Sequence, residues 1–307
     1  MFRKNNTSKG LLLLLSLFLF NQCTEKPQDD TAYLQTIETW QEDRNAEMRD
    51  TSSSWLCLVG LHWLEQGEST FGADSSNTIV FPNSAPAFAG SFVLQDTALQ
   101  LKMLDGAAAT HEGAPVQELM LGHDMSGATT YLQMGSINFH AIQRPEGMAI
   151  RVKDSQSPDL LAFEDIPNFP IDLNWKIEAR LDWFEEPKLI QIPTVLGSER
   201  TQKCPALLVF EVDGEQYELS PYESFYGDPV WTLIFSDVTN GEKTYGGGRF
   251  LSLAAPEPGT NSITLDFNKA YNPPCAFSPF ATCPLPPPEN RLPLSILAGE
   301  MMYGAPH

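Results

Sequence analysis

The side chains with the most chemistry to offer crowd into residues 245–300, YGGGRFLSLAAPEPGTNSITLDFNKAYNPPCAFSPFATCPLPPPENRLPLSILAGE. Gly246, Gly247 and Gly248 stand directly before Arg249. Glycine lets backbone N–H groups approach an anion closely, and a guanidinium adds a planar fork of donors, so this start can cradle a phosphate or carboxylate. The same three glycines also suit a turn or bulge leading into a strand RFLSL. Asp266, Asn268, Tyr271 and Asn272 then place an acid, two amides and a phenol within seven residues. They can wall a polar pocket, and they can also serve as turn formers that satisfy their own backbone. A stretch of about fifteen residues from Pro273 carries seven prolines. Such a loop is stiff but makes no ladder hydrogen bonds, so side chains must fix its shape, which tips the reading toward function.

Cys275 and Cys283 lie in the same segment. With Cys23 assigned to a leader, Cys57, Cys204, Cys275 and Cys283 remain, an even number in an oxidising compartment. Cys275 and Cys283 can close a small disulfide loop, remain as two buried thiols, or, least favoured for want of a neighbouring base, supply a nucleophile at Cys275. Cys-x7-Cys alone is poor zinc spacing. His62, His111, His123 and His140 are isolated, with no partner at i, i+2 or i, i+4, so no metal site and no cofactor is expected. Two functional readings follow. In one, a C-terminal pocket binds a small polar or anionic ligand, with Arg249 and Arg291 as charge partners and Asn268, Asn272 and the tyrosines as hydrogen-bonders. In the other, a hydrolase uses Asp266, Glu289 or Glu300 as general base and Arg249 against developing negative charge. A third reading makes the segment a structural clasp, with these groups closed on one another in salt bridges.

The elements that must position these residues are mostly strands. Residues 31–50 have Tyr33, Ile37, Trp40, Arg44 and Met48 at helical spacing with no internal Gly or Pro, which predicts an amphipathic packing helix. Beyond it the period becomes strand-like. Residues 54–64 form an apolar run, 67–81 supply turns and a short TIVF strand, and strands are predicted at 91–95, 99–104, 130–134, 137–143 and 148–153. Residues 155–170 read as a connecting loop. WKIEARLDWF then alternates strictly and predicts a half-exposed antiparallel strand. Further strands are expected at 188–192, 206–212, 216–220, 230–236 and 264–267, with Asp213-Gly214 as a two-residue hairpin turn. The predicted fold class is mainly β, an antiparallel sandwich or barrel-like arrangement of two packed units, 51–160 and 161–307, with one N-terminal helix. GxGxxG and GxxxxGK[ST] are both absent, so a nucleotide-binding fold is not expected.

The N-terminus predicts export. Arg3, Lys4 and Lys9 precede an apolar run over residues 11–20, too short to span a bilayer, and Cys23 follows. This resembles a bacterial lipoprotein signal, cut before a cysteine that receives lipid, although Asn21 and Gln22 replace the usual small residues. Residues 1–22 would then be the signal peptide and 23–30 a polar tether, placing the chain in the cell envelope, on the periplasmic or cell-surface side, anchored by lipid at Cys23. Loss of residues 1–22 takes the charge from −20 to −23. A chain so acidic repels phosphate backbones, so no nucleic-acid partner is expected, and lipid rather than surface charge must hold it at a membrane.

Two family resemblances carry further implications. WLEQGESTFGADSSNTIVFP, the alternating strand pair after it, GAPVQELMLG and LQMGSINFHAI look like the sandwich of forkhead-associated domains. That family reads phosphothreonine through an Arg after its first glycine motif and a Ser-x-x-His, but Ala73 follows the FG here and Ala87 stands three positions after Ser84, so phosphopeptide recognition is not implied. YGGGRFL, LDFNKAYNPPCAFSPFATCPLPPPENRLP and the final AGE strongly resemble the signature of bacterial domain of unknown function 1684, and SWLCLVGLHWLEQGESTFG and IDLNWKIEAR resemble its earlier blocks. The resemblance marks Tyr245, Arg249, Asp266, Asn268, Tyr271, Asn272, Cys275, Cys283, Glu289, Asn290, Arg291 and Glu300 as the polar positions to watch. Because members without export signals would carry the cysteine pair in a reducing cytosol, it implies packed or site thiols at Cys275 and Cys283.

Overall fold

The structure, a computed structural model, describes Met1, residues 30–224 and residues 228–304. The segment expected to be a signal peptide, beyond Met1, and the expected lipid site Cys23 with its tether through residue 29 lie outside the described residues. Helix α1 (Asp30–Arg49) occupies the predicted N-terminal stretch and buries Ile37 and Met48. Among the described residues no helix is long and apolar enough to cross a membrane.

Eleven strands follow in the first β unit: β1 (Leu58–Trp63), β2 (Gly67–Gly72), β3 (Ile79–Val80), β4 (Gly90–Gln95), β5 (Ala98–Met103), β6 (Ala109–His111), β7 (Ala114–Val116), β8 (Glu118–Met120), β9 (Leu132–Met134), β10 (Ile137–Arg144) and β11 (Gly147–Asp154). They form a six-stranded sheet, β1-β11-β10-β9-β6-β7, facing a five-stranded sheet, β3-β2-β4-β5-β8. Residues 67–72, expected as turns, pair antiparallel with β4 because Phe71 is drawn into the sandwich core. There Phe71, Phe92 and Phe139 meet, the first two with ring centroids 4.6 Å apart. Alternation does the sorting: Ile137, Phe139 and Ala141 of β10 and Met148, Ile150 and Val152 of β11 enter this core, so the residues between them must face the other way. That outward face carries Asn138, His140, Arg144, Arg151 and Lys153, with His140 opposite Arg151 and Asn138 opposite Lys153.

After the short helix α2 (Pro158–Leu161), the second unit comprises β12 (Lys176–Pro193), β13 (Glu199–Val212), β14 (Glu215–Leu219), β15 (Tyr222–Glu223), β16 (Val230–Phe235), β17 (Arg249–Ala254) and β18 (Ser262–Asp266). The sheet β14-β13-β12-β18 packs on β15-β16-β17 around Leu181, Leu208, Leu233, Leu251 and Phe267. The alternation in WKIEARLDWF holds, with Ala179 and Leu181 buried and their neighbours exposed. Asp213 and Gly214 both take positive φ, 53° and 82°, as a two-residue hairpin turn demands.

The proline-rich segment 273–288 runs between the units. Ser278 Oγ donates to the Leu58 carbonyl at 2.8 Å, and Trp55, Leu58, Ala281 and Cys283 form a small apolar cluster. Cys275 and Cys283 are joined as a disulfide, which corrects the expectation of packed or site thiols. The loop between them doubles back, each cysteine N–H pointing at the other's sulfur, and this brings the two side chains together.

Candidate functional site

The 273–288 segment covers part of the outward face of β10 and β11, with Thr282 over Arg144 and Arg151, while Asn138 at one end stays exposed. Polar groups enclosed in this way must find partners or line a cavity. Here they do both. Arg144 pairs with Asp124 at 2.7 Å and points its Nε toward Thr282 Oγ1 at 3.4 Å. Arg151 approaches the same Thr282 oxygen through Nη2, also at 3.4 Å. From the opposite side comes Arg44 of α1, whose Nε donates to Glu300 at 3.0 Å and whose guanidinium stacks 5.1 Å from the Tyr271 ring. Arg200 of β13 completes the set. The four arginines border one cavity of about 350 Å³, floored by Tyr222, Phe250 and Tyr271 and edged by Asn272, Thr282 and Cys283.

No carboxylate is among the residues described as lining this cavity. In a chain with 19 Lys and Arg against 39 Asp and Glu, four guanidiniums meet on one cavity, Arg44 paired with Glu300 and Glu47 and Arg144 with Asp124. Glu300 and Asp124 sit behind Arg44 and Arg144 and hold them in place. Burial pushes the Glu300 carboxyl up, against the pull of Arg44, the Asn272 N–H and Arg249. Burial also raises the Tyr271 phenol, so the cavity floor stays neutral. Asn272 donates its backbone N–H to Glu300 at 2.7 Å and its side-chain NH₂ to the Met301 carbonyl at 2.7 Å. Its buried Oδ1 has no partner among the described residues, although the residue is only 1% exposed.

The residues singled out in the sequence do not all meet at this cavity, and Asp266 borders another beside Tyr33 and Lys176. Tyr271, Asn272 and Cys283 line the arginine cavity, and Glu300 braces Arg44. Arg249 does not reach it. Its side chain is fully buried, paired with Asp237 at 2.7 Å and donating to the carbonyls of Ile296 and Ala298, so it ties β17 to the C-terminal segment. The three glycines before it make a turn: Gly248 has φ +88°, and a Cβ there would collide with Pro286. Asp266 accepts from Tyr33 Oη at 2.8 Å and caps Asn268, whose amide bridges Asp172, so this cluster fastens α1 to β18. Asn290 is wholly buried between Ser220 and Ile234 and serves the backbone. Glu289 and Arg291 face solvent. Tyr245 and Cys275 line a separate, largely apolar cavity beside Gly246 and Gly247.

Sequence reasoning missed Arg44, Arg144, Arg151 and Arg200 as a group. A signal existed for two of them. Arg44 falls on the packing stripe of α1 with Ile37 and Met48, and Arg151 stands between the core residues Ile150 and Val152, on the face opposite a sandwich core. Charged residues on covered faces need a reason to be there. Among the described residues no group of three or more His, Cys, Asp or Glu is arranged to hold a metal.

Comparison with known proteins adds a family and three structures. Residues 161–301 match a family described as "Protein of unknown function (DUF1684)". The solution structure of an uncharacterized protein from Haloarcula marismortui is 31% identical, covering 45% of this chain and 77% of that one, with a TM-score of 0.38. An FHA domain studied for phosphothreonine-dependent interactions is 17% identical over 29% of this chain and 79% of its own, TM-score 0.21. The FhaA FHA domain, solved with the intracellular domain of another protein, is 16% identical over 30% and 97%, TM-score 0.22. At these TM-scores none of the three bears on fold or role. No curated protein matches the chain.

Proposed function

Since the chain belongs to this family over residues 161–301 and the family's description assigns it no activity, we propose a role from geometry: it binds a small hydroxylated anion in the four-arginine cavity. The observation that carries this reading is the convergence of Arg44, Arg144, Arg151 and Arg200 on one cavity in an acidic chain. Guanidinium forks suit carboxylate and phosphate oxygens, and pre-positioned guanidiniums lose little freedom on binding. Asn272 Oδ1 adds an acceptor for a ligand hydroxyl. The pocket remains C-terminal in part, through Tyr271, Asn272 and Cys283, but its charge comes from α1, the first unit and β13.

Binding is favoured over hydrolysis because of where the carboxylates stand. A general base must reach the substrate. Asp266 is engaged with Tyr33 and Asn268, Glu289 faces solvent, and Glu300 is held by Arg44 and the Asn272 N–H. The proposal includes the setting: an exported chain, lipidated at Cys23 and held on the periplasmic or cell-surface side of a membrane. The basic n-region, the apolar run over 11–20 and Cys23 support it, and so does a disulfide, which persists in oxidising compartments.

Titration calorimetry of the full chain with inorganic phosphate tests the binding. Arg200→Met should weaken phosphate at least tenfold, about 1.4 kcal/mol, while Arg291→Met on the exposed loop leaves it within twofold. Equal affinities in the two variants would remove the arginine cavity as the site.

A further inference from the structure

A second cavity, of about 410 Å³, adjoins the arginine cavity and shares two of its walls, Trp55 and Arg151. It is also basic. Lys153 lies two residues beyond Arg151 on β11 and therefore on the same face, roughly 7 Å further along the strand. Its Nζ donates to the carbonyls of Ser52 and Ser53 at 3.2 and 3.1 Å and stands 5.5 Å from the Trp55 ring. Those bonds fix the ammonium while leaving one of its three donors. His140, opposite Arg151 in the ladder, borders the same cavity. It is 7% exposed, and its Nδ1 is buried with no partner among the described residues. A buried ring nitrogen left without a partner costs stability unless something else hydrogen-bonds it.

Resting on the anion-binding reading above, we propose that the ligand is an elongated dianion, one anionic group held by the four arginines and a second, about 7 Å away, by Arg151, Lys153 and His140. Arg151 stands between the two groups and serves both. Arg151 and Lys153 stand two residues apart on β11, with His140 opposite Arg151, so the step from one subsite to the next is set by strand geometry. Trp55 packs between the cavities and presents a flat apolar surface to the spacer joining the two charges. A single small anion would leave the second subsite, with its fixed ammonium, unfilled.

The test compares inorganic phosphate with propane-1,3-diyl bisphosphate, whose phosphates are separated by a three-carbon spacer, by calorimetry on the full chain. The bisphosphate should bind at least tenfold tighter than phosphate. Lys153→Met and His140→Gln should each cut that advantage to about threefold or less while phosphate affinity stays within twofold, a selective loss that general destabilisation would not give. Phosphate binding that depends on Arg200, with no bisphosphate advantage, would overturn the second subsite and leave the arginine cavity standing. An advantage that survives in both variants would overturn it too. Failure of both probes to bind the wild-type chain would overturn both readings.

Discussion

At the scale of single residues, the site is built from groups whose ionisation burial has moved. His140 is the clearest. Burial, then Arg151, with Lys153 and Arg144 acting the same way against the opposing pull of Asp124, brings its imidazole down from 6.5 to about 4. The Tyr131 ring lies 4.9 Å from it. A base depressed in the folded state contributes stability that is complete above its unfolded pKa and is lost as pH falls from about 6.5 toward about 4. Between pH 7 and pH 5 this one group should remove about 2 kcal/mol. His140→Gln should therefore flatten the pH dependence of urea unfolding by about that amount over this interval. Parallel curves for the variant and the wild type would show that His140 is not held neutral. Asn272 and Arg151 belong to the same scale, since each is shaped by what covers it. Composition and spacing marked Asn272 as polar and of interest, but its unused acceptor exists only because Glu300 and Met301 fold back over it.

At the scale of elements, the C-terminal segment is both a clasp and a wall. Arg249 shows the clasp: the sequence left it open between an anion cradle, a turn and a clasp, and it closes on Asp237 and two carbonyls of the segment 296–298. Glycine and arginine side by side carry the same signature in an anion site and in a turn leading to a buried ion pair. The partner that decides between them, Asp237, is twelve residues away and gave no local cue. Removing one member of a buried pair strands the other charge, so Arg249→Met should cost about 3–5 kcal/mol in urea unfolding. Adding Asp237→Asn to that variant should restore part of the loss. A cost below about 1 kcal/mol would contradict the clasp. The strands themselves were legible, because alternation in WKIEARLDWF, in β10 and in β11 reports directly which side faces a core. Strand β2 was not, since GESTFG has the composition of a turn and becomes a strand only by pairing with β4. The cysteine pair was ambiguous for a similar reason: spacing permitted a loop, and only the doubling back of 275–283 made it a disulfide.

At the scale of the whole molecule, two β units and α1 enclose a basic interior in an acidic chain. The mainly β class, the packed units and the N-terminal helix could be read from periodicity. The meeting of α1, β10, β11 and β13 around one cavity could not, because Arg44, Arg144, Arg151 and Arg200 are spread over more than half of the sequence and periodicity says nothing about which covered faces meet. Export is a property of the same scale. If Cys23 carries lipid, Cys23→Ser expressed in a bacterium with a lipoprotein pathway should take up no labelled palmitate and should move from the membrane to the aqueous fraction on detergent phase separation, whereas unchanged partitioning would exclude the anchor. The central claim is that the arginine cavity is an anion site, and anomalous diffraction from crystals soaked in sodium selenate tests it most directly. The prediction is a selenium peak within hydrogen-bonding distance of at least two of Arg44, Arg144, Arg151 and Arg200, lost in Arg200→Met. A cavity without a selenium peak, in crystals that bind selenate elsewhere, would contradict it.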